Sequence, residues 1–466
     1  MMSPFHTLLL LSLLISLLTH VATAQPEMAD DGIRSILRDR IDRAKKGVGM
    51  VVGIVDDHGT RVISYGKASR DGDRPVDGDS VFEIGSVTKV FTATLLADMV
   101  ERGEVNLTDP ISRYLPTSVI PPTFNGKAIT LLHLATHTSG LPGLPGNLSP
   151  KDENNPFADY TVEQMYAFLS HYKLTQDIGA EELYSSYGFG LLGHILALRA
   201  GMDYDSLVQT RICQPLTMES TGIARTPGIQ RRLVVGHNCS CRPVVNFDIP
   251  TLAGAAGLHS TANDLLRFLA ANLGLSNSPL QTAMQKTHQI QCDANQHDLG
   301  RLAWRTLEAS HEIQLDCGGA TVGCKAYIGI NKKRRKGVVI LSNTKNEIIE
   351  DLGQHLLDSH YPLAKIETRK DRKTIKLDPK LCNAYCGTYH FAANPSYDVT
   401  ICRVGDTLFL TLNHFEPLKW EMFAESETEF FLEFADMQIG FVKDDAGRIT
   451  HMMLHAKGDR KLKKVN

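Results

Sequence analysis

Neither sign of charge is in excess in this chain: 49 Lys and Arg stand against 52 Asp and Glu. With no net field to draw it, nucleic acid and anionic membrane faces are not expected partners. Beyond the amino-terminal segment, no apolar run approaches the roughly 20 residues of a bilayer-spanning helix. Metal-ligand spacing is missing as well. Cys239 and Cys241 are separated by a single residue, and no second pair at metal-ligand spacing lies beside them, so no structural metal is expected. No cofactor is expected either, which leaves a small-molecule or peptide substrate as the partner.

What is present is an ordinary globular composition, 42% apolar and 22% charged, in a chain of 466 residues, enough for two or three domains. The first segment is set apart. An apolar run from Leu8 to Leu18, broken only by Ser12 and Ser16, leads into T-H-V-A-T-A, whose small residues suit cleavage after Ala24. Residues 1–24 therefore read as a signal peptide, and the mature chain as secreted or periplasmic with no membrane span left after cleavage. An uncleaved anchor is the alternative, since the stretch before the apolar run carries no Lys or Arg and only His6 and the amino terminus for charge. An exported chain with nine cysteines could pair eight and leave one thiol. Asn106, Asn147 and Asn238 each open an N-x-S/T sequon.

A serine three residues before a lysine occurs at Ser64 and Lys67, Ser86 and Lys89, Ser170 and Lys173, and Ser342 and Lys345. Three have plain structural readings. Ser64 and Lys67 follow V-G-M-V-V-G-I-V and the turn D-D-H-G, on a strand whose residues three apart point to opposite faces. Ser170 and Lys173 close a helix-like run, where a lysine suits the negative end of the helix dipole. Ser342 ends G-V-V-I-L, with Lys345 in the turn beyond.

Ser86 differs. Gly85 breaks the chain before it, and Val90, Phe91, Leu95, Leu96, Met99 and Val100 then repeat at helical spacing. Ser86 is placed in the first turn of a buried helix with Lys89 on the same side, near unpaired N–H groups and the positive dipole end. That suits a nucleophile whose attack creates an oxyanion. A serine N-cap beside a solvated lysine has the same spacing.

Further blocks follow in order: I-T-L-L-H-L-A-T-H-T-S-G-L-P at 129–142, L-Y-S-S-Y-G-F-G-L-L-G-H-I-L-A at 183–197, C-Q-P-L-T-M-E-S-T-G at 213–222, A-A-G-L-H-S-T-A-N-D-L at 255–265, C-G-G-A-T-V-G at 317–323 and G-V-V-I-L-S-N at 337–343. With G-S-V-T-K, the series resembles the serine β-lactamase and penicillin-binding protein superfamily, in the class C β-lactamase-like branch with its esterase and D-amino-acid peptidase relatives. The resemblance implies that Ser86 is acylated, that Lys89 is its partner, and that Tyr184 shuttles protons. Ser186 falls where Asn is usual in the second motif. In the third, Cys317, Gly318 and Gly319 replace Lys-Thr-Gly or His-x-Gly, and Ala320 supplies the second oxyanion N–H beside that of Ser86. A thiol is at best a weak donor where the family has a cation or an imidazole. Cys317 reads alternatively as half of a disulfide with Cys324 or as a buried apolar thiol. His133 and His137 are read as packing and loop residues.

After a charged linker at 363–376, residues 377–466 alternate apolar and polar with turns at short intervals, an all-β module resembling a lipocalin-like barrel. Its role reads as packing against the hydrolase region at 25–362, with ligand binding or a lid as the alternative. The fold class expected is therefore α/β, an antiparallel sheet with strands from both ends of the hydrolase region, flanked by helices and an α-rich lobe, followed by the small barrel. Two functions stand: an acyl-serine hydrolase acting on esters, D-amino-acid amides or β-lactams, with esters preferred, or a binding protein that keeps Ser86 and the fold but has lost turnover.

Overall fold

The computed structural model describes residues 27–289, 301–309, 312–345, 349–368, 372–392, 398–412, 419–433, 437–456 and 458–465. The expected signal peptide and Cys292 lie outside the described residues. Helix α1 (Asp30–Arg38) precedes strands β1 (Gly49–Asp56) and β2 (Gly59–Gly66). Helices α2 (Thr88–Glu101), α3 (Ser186–Ala200) and α4 (Ala262–Leu273) follow. Strands β3 (Arg305–Ala309), β4 (Glu312–Ala320), β5 (Lys325–Asn331) and β6 (Lys336–Ser342) then lead to helix α5 (Glu350–Leu357). The six strands form one sheet in the order β2-β1-β6-β5-β4-β3, every neighbouring pair antiparallel. The sheet is thus made from both ends of the hydrolase region, as expected.

Strand β1 shows how the sequence divides the layers. Met50, Val52 and Ile54 join Ile33 and Leu37 of α1 and Leu352 and Leu356 of α5 in one core. Val51 and Val55 point the other way, into the larger core that holds α2, α3 and α4. Such alternation is the strand period of two serving two faces. Gly53 falls on the α4 side, where a Cβ would come 2.9 Å from Leu266 Cδ1. Helix α2 is buried on all sides over its first three turns, as befits the central helix of the lobe.

The carboxyl-terminal module is a closed eight-stranded barrel, β7 (Gly387–His390), β8 (Val399–Val404), β9 (Thr407–Leu412), β10 (Trp420–Ala424), β11 (Glu429–Leu432), β12 (Met437–Lys443), β13 (Ile449–Ala456) and β14 (Gly458–Lys464). Its interior is filled by side chains, among them Tyr385, Tyr389, Phe430, Phe441, Leu410 and Met452. That filling accords with packing rather than with an internal ligand.

Candidate active site

Ser86 lies in a single tight helical turn, Gly85–Val87, that runs directly into α2. Two glycines let strand β4 rest on this turn. Gly85 has φ +50°, and a Cβ on it would come 2.7 Å from the Ala320 nitrogen. A Cβ on Gly319 would come 2.0 Å from the Ile84 carbonyl oxygen. The backbone of Ala320 is thereby held against the residue before Ser86, and neither glycine can be replaced without parting the two. Strand β3 pairs only with Glu312–Asp316, so Cys317 to Ala320 present an edge not covered by β3.

Lys89, one turn beyond Ser86, is 2% exposed. Its ammonium donates to Ser86 Oγ at 3.1 Å, Ser186 Oγ at 3.3 Å and the Ala255 carbonyl at 3.0 Å. Three donors meet three neutral acceptors, which lets a buried cation persist. It also lies 4.8 Å from the centre of the Tyr184 ring. The Tyr184 hydroxyl donates to Ser86 Oγ at 2.7 Å. Ser86 Oγ is therefore flanked by an ammonium and a phenol. The other three serine–lysine spacings make no such contact: Lys67 pairs with Asp73, Ser170 accepts from the Ile120 N–H, and Ser342 donates to the Thr344 carbonyl.

Tyr184 is 42% exposed and would swing freely without support. The support is His137, a residue read from the sequence as one of packing and loop structure. Its φ of +59° turns its carbonyl toward the Leu183 N–H, 2.8 Å away, and its Nδ1 toward the Ser185 N–H at 3.0 Å. Both neighbours of Tyr184 are thus tied to one residue, and the His137 ring packs on the phenol with centroids 4.5 Å apart. Burial, then the Lys89 charge, hold the imidazole well below its ordinary pKa, so Nδ1 keeps its lone pair for Ser185. Ser185 caps α3 through the Gly188 N–H, which places Ser186 at the first helical position, facing Lys89. His133 does have the loop role expected of it, closing a capping box with Thr130.

Cys317 is a buried thiol, not half of a disulfide. In the β4–β5 register Cys317 faces Ile328, four residues along β5 from Cys324, a separation of about 13 Å at strand rise. The Cys317 Sγ lies 3.8 Å from the Ser86 carbonyl oxygen. Burial pushes this thiol up to about 12, and burial likewise raises that of Cys324 well above its ordinary value. Gly318 points to the opposite face, where a Cβ would sit 3.4 Å from Glu350 Oε1 and 3.8 Å from Arg305 Nη2. These charges are already matched, Arg305 with Asp316 at 2.9 Å and Glu350 with Lys325 at 2.7 Å. The Ala255 carbonyl and His137 are contributions to the site that sequence reading did not assign.

The fold is that of the serine β-lactamase/transpeptidase type, and the chain belongs to the Beta-lactamase family, which it matches over residues 33–357. Residues 371–466 match a domain of unknown function, DUF3471. The D-alanyl-D-alanine-carboxypeptidase/endopeptidase AmpH of Escherichia coli K12 is 36% identical over 259 residues, 54% of this chain. That match spans 65% of the AmpH length. A Beta-lactamase of the same organism is 30% identical over 69% of this chain and 90% of its own length. Among solved structures, the D-alanine carboxypeptidase AmpC of Burkholderia cenocepacia shares 27% identity with a TM-score of 0.60, covering 71% of this chain and all of that one. No described helix is long and apolar enough to cross a membrane.

Proposed function

We propose that this chain is an exported serine acyl hydrolase in which Ser86 is acylated and Lys89 and Tyr184 manage the protons. The observation that carries the reading is Ser86 Oγ, held 2.7 Å from the Tyr184 hydroxyl and 3.1 Å from the Lys89 ammonium at the mouth of a helix. Attack forms the bond from Oγ to the substrate carbonyl carbon, and the Oγ proton passes to Tyr184 as phenolate. An ordinary phenol, with a pKa near 10, is a poor base at neutral pH. The Lys89 ammonium, 4.8 Å from the centre of the phenol ring, is the positive charge beside the proton that must move. The N–H groups of Ser86 and Ala320 receive the oxyanion, and the proton moves on to the leaving group as its bond breaks. Water then repeats the sequence on the acyl-serine. Intact mass after exposure to a fluorophosphonate or penicillin tests this: an adduct on the chain supports it, and no adduct with either reagent rejects it. A binding protein without turnover would keep a penicillin adduct indefinitely and release no product.

The relatives are named for action on D-alanyl peptides or β-lactams, but two departures favour simple esters in this chain. Ser186 lacks the amide that can donate to and accept from a substrate amide, and its hydroxyl already accepts from Lys89. Cys317 supplies no cation for a substrate carboxylate, being buried and turned toward the Ser86 carbonyl. At about 1 to 3 kcal/mol for each of the two missing polar partners, the preference amounts to roughly one to four orders of magnitude. We expect kcat/KM for p-nitrophenyl acetate to exceed that for nitrocefin by this margin, and Ser186→Asn with Cys317→Lys to recover part of the β-lactam rate. Faster hydrolysis of nitrocefin than of the ester would reject the preference.

His137 gives a further expectation. In His137→Asn, which tolerates positive φ but cannot stack on Tyr184, kcat should fall roughly tenfold while KM stays within about twofold, because only placement of the base is lost. In a Tyr184→Phe background the same change should have no further effect. Additive losses would show that His137 acts elsewhere.

A further inference from the structure

Among the described residues, Glu433 of the barrel makes three polar contacts with the hydrolase region. Glu433, immediately after β11, accepts from the Asn238 side-chain amide at 3.2 Å through Oε2 and pairs with Arg242 at 2.7 Å through Oε1. Its backbone carbonyl accepts from the Cys239 N–H at 3.2 Å. The Glu433 side chain is 11% exposed, so these bonds are shielded from water. Asn238 in turn organises its own loop, its Oδ1 accepting from the N–H groups of Ser240 and Arg242.

That loop is the tip of a short hairpin, Gly236–His237 paired with Pro243–Val244, whose base rests on both walls of the active site. On one side the His237 N–H donates to the Gly323 carbonyl at 3.0 Å. Gly236 and Gly323 pack so closely that a Cβ on Gly323 would come 2.7 Å from Gly236 Cα. Gly323 belongs to the turn that follows Ala320. On the other side the Phe247 N–H and the Asn246 side chain donate to Glu83 Oε1 at 2.8 and 3.0 Å, three residues before Ser86. Both backbone segments proposed to supply oxyanion donors are therefore backed by a single hairpin, and the barrel holds that hairpin by its tip.

We infer that the carboxyl-terminal barrel is a brace for the oxyanion side of the active site, with Glu433 as its positioning residue. The inference deepens the reading of Ser86 and Ala320 proposed above and rests on it for its kinetic consequence. Releasing the tip lets the hairpin, and with it the turn after Ala320, sample positions in which the Ala320 N–H is misaimed. Such a donor stabilises the transition state more than the bound substrate, so the loss falls on kcat rather than on KM.

The test uses the full chain. Glu433→Ala should lower kcat for p-nitrophenyl acetate roughly tenfold with KM within about twofold, a fraction of what deleting an oxyanion donor removes. Glu433→Gln, which keeps an acceptor for Asn238, should lie between, and Arg242→Ala should change kcat in the same direction by less. Amide exchange should accelerate in peptides covering 236–247 and 319–325 and stay unchanged along α2. Arg242 is 59% exposed, so that variant reports even if Glu433→Ala fails to fold. Unchanged exchange at 319–325 in the folded variants, or faster exchange with unchanged kcat, overturns the brace. A wild-type chain inert toward every substrate would reject the proposed function, and the exchange measurement would then decide the mechanical coupling by itself.

Discussion

Ser86→Ala should abolish covalent labelling by fluorophosphonate and penicillin and reduce turnover by roughly 10⁴-fold or more, the scale on which loss of a serine nucleophile acts. The expected loss is this large because the neighbouring candidates are disarmed. Cys317, the nearest thiol, is buried and pushed up to about 12, so it carries almost no thiolate at neutral pH. Ser139 is 1% exposed and its hydroxyl accepts from the Leu141 N–H. Ser185 is committed to the Pro142 carbonyl and the Gly188 N–H. None of them also has an ammonium and a phenol on its oxygen. Intact-mass and peptide mapping check the result, and label persisting on Cys317 or Ser139 would displace Ser86 from its role.

Lys89→Met should lower the acylation rate by about two to three orders of magnitude, within the range general acid–base groups contribute. Methionine keeps an unbranched apolar stem one atom shorter than that of lysine, so the packing of α2 is retained and the change falls on charge and hydrogen bonds. Ser86 loses a donor, the Ala255 carbonyl loses its cationic partner, and Tyr184 loses the nearest positive charge, 4.8 Å from its ring. Without that charge the transfer of the Ser86 proton loses its electrostatic support. Stopped-flow acylation with p-nitrophenyl acetate measures this, and near-normal acylation at neutral pH would overturn the assignment.

Local chemistry was legible in the sequence where neighbours along the chain decide it. Gly85 before Ser86 and the buried period after it mark the turn into α2, and D-D-H-G marks the β1–β2 hairpin. The alternation after residue 377 marks strands. Closure of those strands into a barrel, by contrast, depends on β7 pairing with β14, a contact no local pattern encodes. Register is another limit. A hairpin centred midway between Cys317 and Cys324 would have set them opposite each other, but the pairing of Ala320 with Lys325 moves the centre two residues on and turns Cys317 to Ile328. His137 was hidden for a related reason. Its effect arises from a positive φ and from bonds to residues 46 and 48 positions away, so its type and spacing signal only packing.

The Asn238 side chain that meets Glu433 is also the acceptor nitrogen of a sequon, and the two uses exclude each other. A glycan attached there would occupy the amide that faces Glu433 and stand between hairpin and barrel. Asn147 is similarly committed, donating to the Gln164 carbonyl and accepting from Tyr160, whereas Asn106 lies exposed. Sugar addition precedes folding, so a host that glycosylates would produce some chains whose barrel cannot seat. Bacterial expression, or Ser240→Ala in a eukaryotic host, which removes the sequon and leaves the Asn238 amide on Glu433, would spare the preparation that heterogeneity.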